Sequence, residues 1–215
     1  MPFPKAVLWD MDGVLADTSQ LHFETWERVL IEQGIPFDRK KFHLIYGLKN
    51  RDLLPFLAAR PLEPQWIDWI SEQKELAFRQ SLPGLQPLPG VVDWLRRFKL
   101  WACKQAVASS APPENVEDLV DVLGIRNYFD ALVTPGDLPG KPDPAVFLKA
   151  SRQVEIPPSY CIVIEDSIPG IEAALSAGMR CIAVTTTNPP EVLTQADIVV
   201  ETMEQLTIEQ VESLF

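Results

Sequence analysis

Two carboxylates two residues apart close a short apolar run near the start of the chain, where Ala6-Val7-Leu8-Trp9 leads into Asp10-Met11-Asp12-Gly13-Val14. A buried ionised carboxylate costs several kcal/mol unless it is paired or bound to metal. A hard cation with oxygen ligands answers that cost, and Mg²⁺ suits one or two carboxylates that share it with a phosphate. Gly13 lets the backbone curl so that N–H groups face a bound anion. A second acidic pair, Glu165-Asp166, ends the apolar run Cys161-Ile162-Val163-Ile164 and again calls for a cation. Ser109 follows Ala106-Val107-Ala108 and precedes a helix start near Pro113, a seat suited to phosphate. Lys141, in Gly140-Lys141-Pro142-Asp143-Pro144, offers an ammonium on a loop before another helix. Taken singly, each has an ordinary explanation: a solvated turn, a capping serine, a surface lysine. Together, in this order and each beside a strand end, they can provide metal ligands, an anion seat and a carboxylate free to attack phosphorus.

The elements that must position these groups are legible as alternation. Short runs that are apolar on both faces mark strands at Ala6–Trp9, Gln105–Ala108, Ala131–Val133, Cys161–Ile164, Cys181–Thr185 and Ile198–Val200. Helical patterns fall between them at Val91–Lys99, Pro113–Leu123, Ala145–Gln153, Pro169–Ala177 and Pro190–Gln195, with a last helix at Ile208–Leu214. Thr207 and Gln210 stand in capping-box spacing before it. Strand alternating with helix predicts a doubly wound, Rossmann-like α/β core with a parallel sheet. Residues 17 to 88 break the alternation. They hold a helical pattern over Asp17–Gln33, a second over Arg51–Arg60, and a third whose face is marked by Trp66, Trp69, Ile70, Gln73 and Ala77. The expected organisation is a core of residues 1–16 and 89–215, with an α-helical cap domain inserted at 17–88 for substrate selection. An insertion there hangs over the carboxyl ends of the strands, where α/β folds keep their sites.

Composition removes several function classes. The 215 residues carry a formal charge of −11, which disfavours a nucleic-acid or anionic-membrane partner. No stretch approaches the ~20 apolar residues of a membrane span. Three cysteines with no CxxC pair fit a reducing compartment, so a cytoplasmic location is expected. Gly136-x-x-x-Gly140-Lys141 is one spacer short of a phosphate-binding P-loop, and Pro142 stands where a hydroxyl would be needed. Two histidines, His22 and His43, are too few for a histidine-rich zinc site.

Asp10-x-Asp12-Gly13-Val14, Ser109, Lys141-Pro142 and Glu165-Asp166 resemble, in order, the four motifs of the haloacid dehalogenase superfamily. The helical insertion resembles the first cap type, shared with phosphoglycolate phosphatases and β-phosphoglucomutases. The resemblance implies that Asp10 attacks a phosphoryl group to form an aspartyl phosphate. It implies that Asp12 serves as acid and then base, and that Gly13, Ser109 and Lys141 hold the phosphate. Asp10, Asp12, Asp166 and Glu165 then hold Mg²⁺, Glu165 either directly or beside the shell. In the cap, Thr18, His22 and Trp26 resemble the segment after the first motif in β-phosphoglucomutases. Lys74 stands where mutases carry a substrate lysine, and Arg51 is a candidate for a second phosphate. For Trp26 the ordinary alternative is cap packing; for Lys74 and Arg51 it is a solvated helix face.

The function expected is a Mg²⁺-dependent phosphatase of small sugar or organic phosphate monoesters, acting as a monomer on a small phosphorylated metabolite. The alternative is a β-phosphoglucomutase using the same intermediate. A non-catalytic phosphoacceptor fits less well, given the long helical insertion and the Glu165-Asp166 pair on a late strand, and so does a binding-only relative, since each catalytic position is filled. Ser109-Ser110-Ala111-Pro112-Pro113 lacks the lysine that mutases carry shortly after the serine, which favours the phosphatase.

Overall fold

The computed structural model describes residues 5–45 and 50–215, with side chains described outside 43–52. Six strands, β1 (Ala6–Trp9), β2 (Lys104–Ala108), β3 (Ala131–Val133), β4 (Cys161–Glu165), β5 (Arg180–Val184) and β6 (Ile198–Val200), form one sheet in the order β3-β2-β1-β4-β5-β6. Every pairing is parallel. Parallel strands need crossover connections that cover both faces, which is why these runs are apolar throughout rather than alternating. β1 is inaccessible to solvent along its whole length. It pairs with β2 on one side, Leu8 opposite Ala106, and with β4 on the other, Leu8 opposite Val163. The chain builds outward from β1 to β2 and β3, then returns to add β4 beside β1. The crevice at their carboxyl ends is thus a topological switch point.

The helices are α1 (Ser19–Glu32), α2 (Arg39–Ile45), α3 (Asn50–Ala58), α4 (Pro64–Gln80), α5 (Val91–Leu100), α6 (Pro113–Val122), α7 (Ala145–Gln153), α8 (Ile168–Ser176) and α9 (Ile208–Glu212). On one face of the sheet Ala6, Leu8, Ala106, Val163 and Cys181 pack with Phe147 and Ala150 of α7 and with Ile171 and Ala174 of α8. Burying Phe147 completely contributes about 1.5–3 kcal/mol. On the other face Trp9 meets Phe98 of α5 edge-on, with ring centroids 6.0 Å apart. The Trp9 indole N–H donates to Gln105 Oε1 at 3.2 Å, and the Gln105 amide donates to the Leu95 carbonyl at 2.9 Å. Thr207 and Gln210 form the reciprocal capping box expected at the start of α9.

Contacts separate two compact units, Met1–Asp17 with Gly84–Phe215, and Thr18–Pro83. The return to the first unit falls before Gly84 rather than at residue 89, because Leu88 already donates its N–H to the Leu15 carbonyl at 2.9 Å. In the helical unit, α2 answers no sequence expectation. α4 turns inward a face that overlaps the marked one, with Ile70 and Ala77 buried and Trp66 packed against the helical core, but it is rotated so that Trp69 falls outside. Ile67, Ile70, Lys74, Ala77 and Phe78 are buried, while Trp69 is 44% exposed. Stepping round a helix by one residue rotates the side chain by about 100°. Helical spacing places Trp69 and Gln73 on the marked face, whereas the structure buries Lys74 with partners for its charge. The helix expected at Pro190–Gln195 is a single 3₁₀ turn, Pro190–Val192, closed by Val192 N–H to Pro189 and Leu193 N–H to Pro190. Leu193 is fully buried while Val192 is 44% exposed, so the segment lacks the apolar face that would hold a longer helix. Among the described residues no helix is long and apolar enough to cross a membrane.

The Gln105→Leu substitution leaves the Trp9 indole N–H and the Leu95 carbonyl without their buried partner. Urea unfolding is expected to show a loss of about 1–3 kcal/mol, with an unchanged circular dichroism spectrum before the transition.

Candidate functional site

The sheet delivers Asp10, Ser109, Glu165 and Asp166 from β1, β2 and β4 to its carboxyl edge, all nearly or wholly buried. Asp10 stays in register with β4, since its N–H donates to the Ile164 carbonyl at 2.9 Å. One carboxylate oxygen from each of Asp10, Glu165 and Asp166 lies within 4.8 Å of the others. Lys141 enters from the loop before α7. Its ammonium donates to Asp10 Oδ1, donates to Glu165 Oε1 at 2.6 Å, and lies 4.8 Å from the centre of the Phe147 ring.

Glu165 is the most committed of the three acids. Its Oε2 accepts the Asp166 N–H at 2.9 Å, the Ser167 N–H at 3.0 Å and the Ser167 hydroxyl at 2.9 Å, while Oε1 takes Lys141. A carboxylate has about four lone-pair positions. Oε2 is fully engaged, while Oε1 accepts only Lys141, so in this arrangement Glu165 anchors Lys141 through the oxygen that keeps a lone pair. Gly170, in the first turn of α8, lies so close that a Cβ there would overlap the Glu165 carboxylate. Asp166 is held differently: it accepts a hydrogen bond from Thr187, just past β5.

Gly13 departs from its expected role. Its N–H donates to the Ala16 carbonyl at 2.8 Å, closing the turn after β1, and so is not directed at an anion. Its φ of +78° suits glycine, and a Cβ at this position would overlap the Asp166 carboxylate. Gly13 supplies room for a carboxylate. Asp12, half-buried in the same turn, is bridged to Ala16, and its charge is near enough to act on Asp10. Ser109 Oγ accepts the Ala111 N–H at 3.0 Å, the local turn that the ordinary explanation foresees. That bond uses an oxygen lone pair and leaves the hydroxyl proton for an acceptor.

Burial pushes the Asp10 carboxyl up to about 7, Glu165 and Asp12 add to the rise, and Lys141 opposes it. Burial, then Glu165 and Asp10, raise Asp166 well above the carboxylate range. Burial acts to lower Lys141, but Asp10 and Glu165 more than offset it and hold the ammonium charged. Three buried acids against one ammonium leave an excess of two negative charges when all are ionised. That excess, an all-oxygen donor set and a carboxylate with space cleared by Gly13 fit a hard divalent cation.

Within the helical unit, three of the five cap candidates, His22, Trp26 and Lys74, come together. Thr18 and Trp26 are buried. His22 stacks on Phe78, with centroids 4.4 Å apart, and its Nδ1 lies 2.9 Å from Lys74 Nζ. Lys74 also meets Glu75 at 3.2 Å and lies 5.6 Å from the Trp26 ring. At 4% exposure Lys74 is not on a solvated helix face. The side chain of Arg51 lies outside those described. Sequence reasoning missed Thr187, Asn188 and the Lys74 burial. Hydroxyls and amides after a strand are too common to single out, and nothing in the 3.6-residue period separates a buried lysine from an exposed one.

Residues 7–184 match the family model described as haloacid dehalogenase-like hydrolase. The chain is 34% identical to a β-phosphoglucomutase of Bacillus subtilis over 216 residues, covering 95% of this chain and 92% of that protein. It is 34% identical to a phosphorylated carbohydrates phosphatase of Thermotoga maritima over 181 residues, 82% of each chain. A crystal structure of a family IA, variant 3 hydrolase from Entamoeba histolytica superposes with a TM-score of 0.90 at 27% identity, covering 98% of both chains.

The raised Asp10 value fixes the sign of a pH effect. Between about pH 4 and 7 the folded, metal-free chain holds a proton on Asp10 that the unfolded chain has lost, so this group withdraws stability as pH rises. In metal-free buffer the melting temperature of Asp10→Asn is expected to gain on wild type across that window. Mg²⁺ is expected to stabilise wild type more at pH 7 than at pH 5, since the ion competes with protons.

Proposed function

Because this chain belongs to the haloacid dehalogenase-like hydrolases, we propose that it is a Mg²⁺-dependent phosphatase of small sugar or organic phosphate monoesters, with Asp10 as nucleophile. The observation that carries this reading is the buried constellation of Asp10, Lys141, Glu165 and Asp166 at the switch point beside β1. The chain is an enzyme of phosphate-ester chemistry, as relatives over most of its length are sugar-phosphate phosphatases and phosphomutases.

Asp10 and Asp166 would hold the cation, with the Asp12 carbonyl joining them and Glu165 beside them. When bound, the ion draws charge from the phosphoryl oxygens and neutralises the excess of the acid cluster. Asp10 Oδ attacks phosphorus, forming an acyl-phosphate P–O bond as the ester P–O bond breaks. Asp12 gives its proton to the departing alkoxide. It next takes a proton from water, whose oxygen attacks phosphorus, releasing inorganic phosphate and restoring Asp10. Lys141 and the Ser109 hydroxyl stabilise the phosphoryl oxygens throughout. Lys141 is delivered to this point by Glu165, so its charge is in place before substrate arrives.

The helical unit is assigned substrate selection, through Lys74, His22, Thr18 and Trp26, with Arg51 as a further candidate. A monomer in the cytoplasm is the expected setting, and the three buried free cysteines suit a reducing compartment. The second reading is a β-phosphoglucomutase, favoured by the Bacillus subtilis relative and by the gathered cap residues. It differs only in that a sugar hydroxyl, rather than water, receives the phosphoryl group.

A phosphate-release screen over sugar phosphates with Mg²⁺ is expected to find turnover that Asp10→Asn lowers by about 10³-fold or more. A parallel assay follows conversion of β-glucose 1-phosphate to glucose 6-phosphate. Isomerisation far faster than release would replace the phosphatase with the mutase.

A further inference from the structure

Asp166 is gripped from a segment that no catalytic motif contains. The Thr187 hydroxyl donates to Asp166 Oδ2 and lies 3.2 Å from the Asp166 carbonyl oxygen. A hydroxyl has one proton, so the carboxylate and the carbonyl cannot both receive it at once. Asn188 resolves the competition. Its amide donates to the Asp166 carbonyl at 3.0 Å and to Thr187 Oγ at 3.0 Å. With Asn188 satisfying the carbonyl and one lone pair of Thr187, the Thr187 proton is directed to Oδ2. Gly13 leaves the space this grip needs, since any Cβ there would overlap the same carboxylate and approach Thr187 Cγ2 at 3.0 Å.

The Asp166 side chain is therefore held at Oδ2 by the Thr187 donor, in space left by the absent Gly13 side chain, with Oδ1 left for another partner. A structural aspartate in a turn does not need this arrangement, and a metal ligand does: ordering the carboxylate beforehand removes its rotamer entropy from the cost of binding. We propose that Thr187 and Asn188 are positioning residues that pre-set Asp166 as a ligand for the divalent cation and so govern the metal affinity of the enzyme. This rests on the assignment of Asp166 as a metal ligand made above. Neither residue touches substrate or the reacting atoms. Their contribution is carried by the strand order, since β5 lies next to β4 and brings the Thr187 segment alongside Asp166.

The test is a calorimetric Mg²⁺ titration of the full chain, for wild type, Thr187→Val, Thr187→Ser, Asn188→Ala and Asp166→Asn. Thr187→Val keeps the shape and removes the donor, and is expected to raise the Mg²⁺ dissociation constant about 10- to 100-fold. Thr187→Ser, which keeps the hydroxyl, is expected to stay within about threefold of wild type. That rescue separates alignment of the carboxylate from packing of the Thr187 methyl group. Asn188→Ala is expected to weaken binding severalfold, and it carries the test should Thr187→Val not fold. Unchanged affinity in Thr187→Val, or in Asn188→Ala where that variant carries the test, overturns the proposal, as does a Thr187→Ser as weak as Thr187→Val. Equal Mg²⁺ affinity in wild type and Asp166→Asn overturns instead the metal-site assignment on which the proposal stands.

Discussion

One ammonium shared by buried acids governs the rest of this structure. Lys141 bonds Asp10 and Glu165 at once, with Asp166 adjoining, in a region from which water is almost entirely excluded. Charges cannot be stored in such a place without compensation, because the desolvation penalty of each ion is several kcal/mol. The lysine offsets one acid, a set of backbone and hydroxyl donors satisfies Glu165, and what is left over is a charge deficit suited to a divalent ion. Stability and catalysis are in tension here. The burial and neighbouring acids that lift the Asp10 carboxyl to about 7 in the metal-free chain also leave the negative excess that suits a cation.

The sheet exists, in functional terms, to make that convergence rigid. Asp10 and Glu165 come from neighbouring central strands whose residues are wholly buried, so neither backbone can shift without disturbing the core. Trp9, the residue before Asp10, is tied to Gln105 on β2 and packed on Phe98. Asp10 thus follows directly on a side chain fixed by packing and a hydrogen bond. Two glycines permit the close approach: Gly13 beside Asp166 and Gly170 beside Glu165. Each acid of the second pair has a position where a side chain is not tolerated, and this explains more of the local sequence than anion binding by Gly13 does.

The helical unit presents a different electrostatic solution. Lys74 is buried without a network of acids. It has one carboxylate, Glu75, a histidine nitrogen, and the faces of Trp26 and Phe78. Aromatic faces compensate a cation with little specificity of direction. The His22 nitrogen and both Glu75 oxygens complete the set of partners that lets a lysine sit at this interior position.

The order of the four motifs, the two-faced strands and the helical interruption after β1 are all written locally, and from the sequence they fix the family, the sheet and the catalytic candidates. Each depends on periodicity or on near neighbours, which a linear reading samples directly. The burial of Lys74 in α4, the shortness of the Pro190–Val192 turn, the engaged N–H of Gly13 and the Thr187–Asn188 grip on Asp166 were decided only in three dimensions. In each case the deciding contact joins residues whose types are common and whose proximity is created by packing. A threonine past β5 acquires meaning only because β5 was laid beside β4, and a lysine in α4 only because α1 placed an imidazole 2.9 Å from its ammonium.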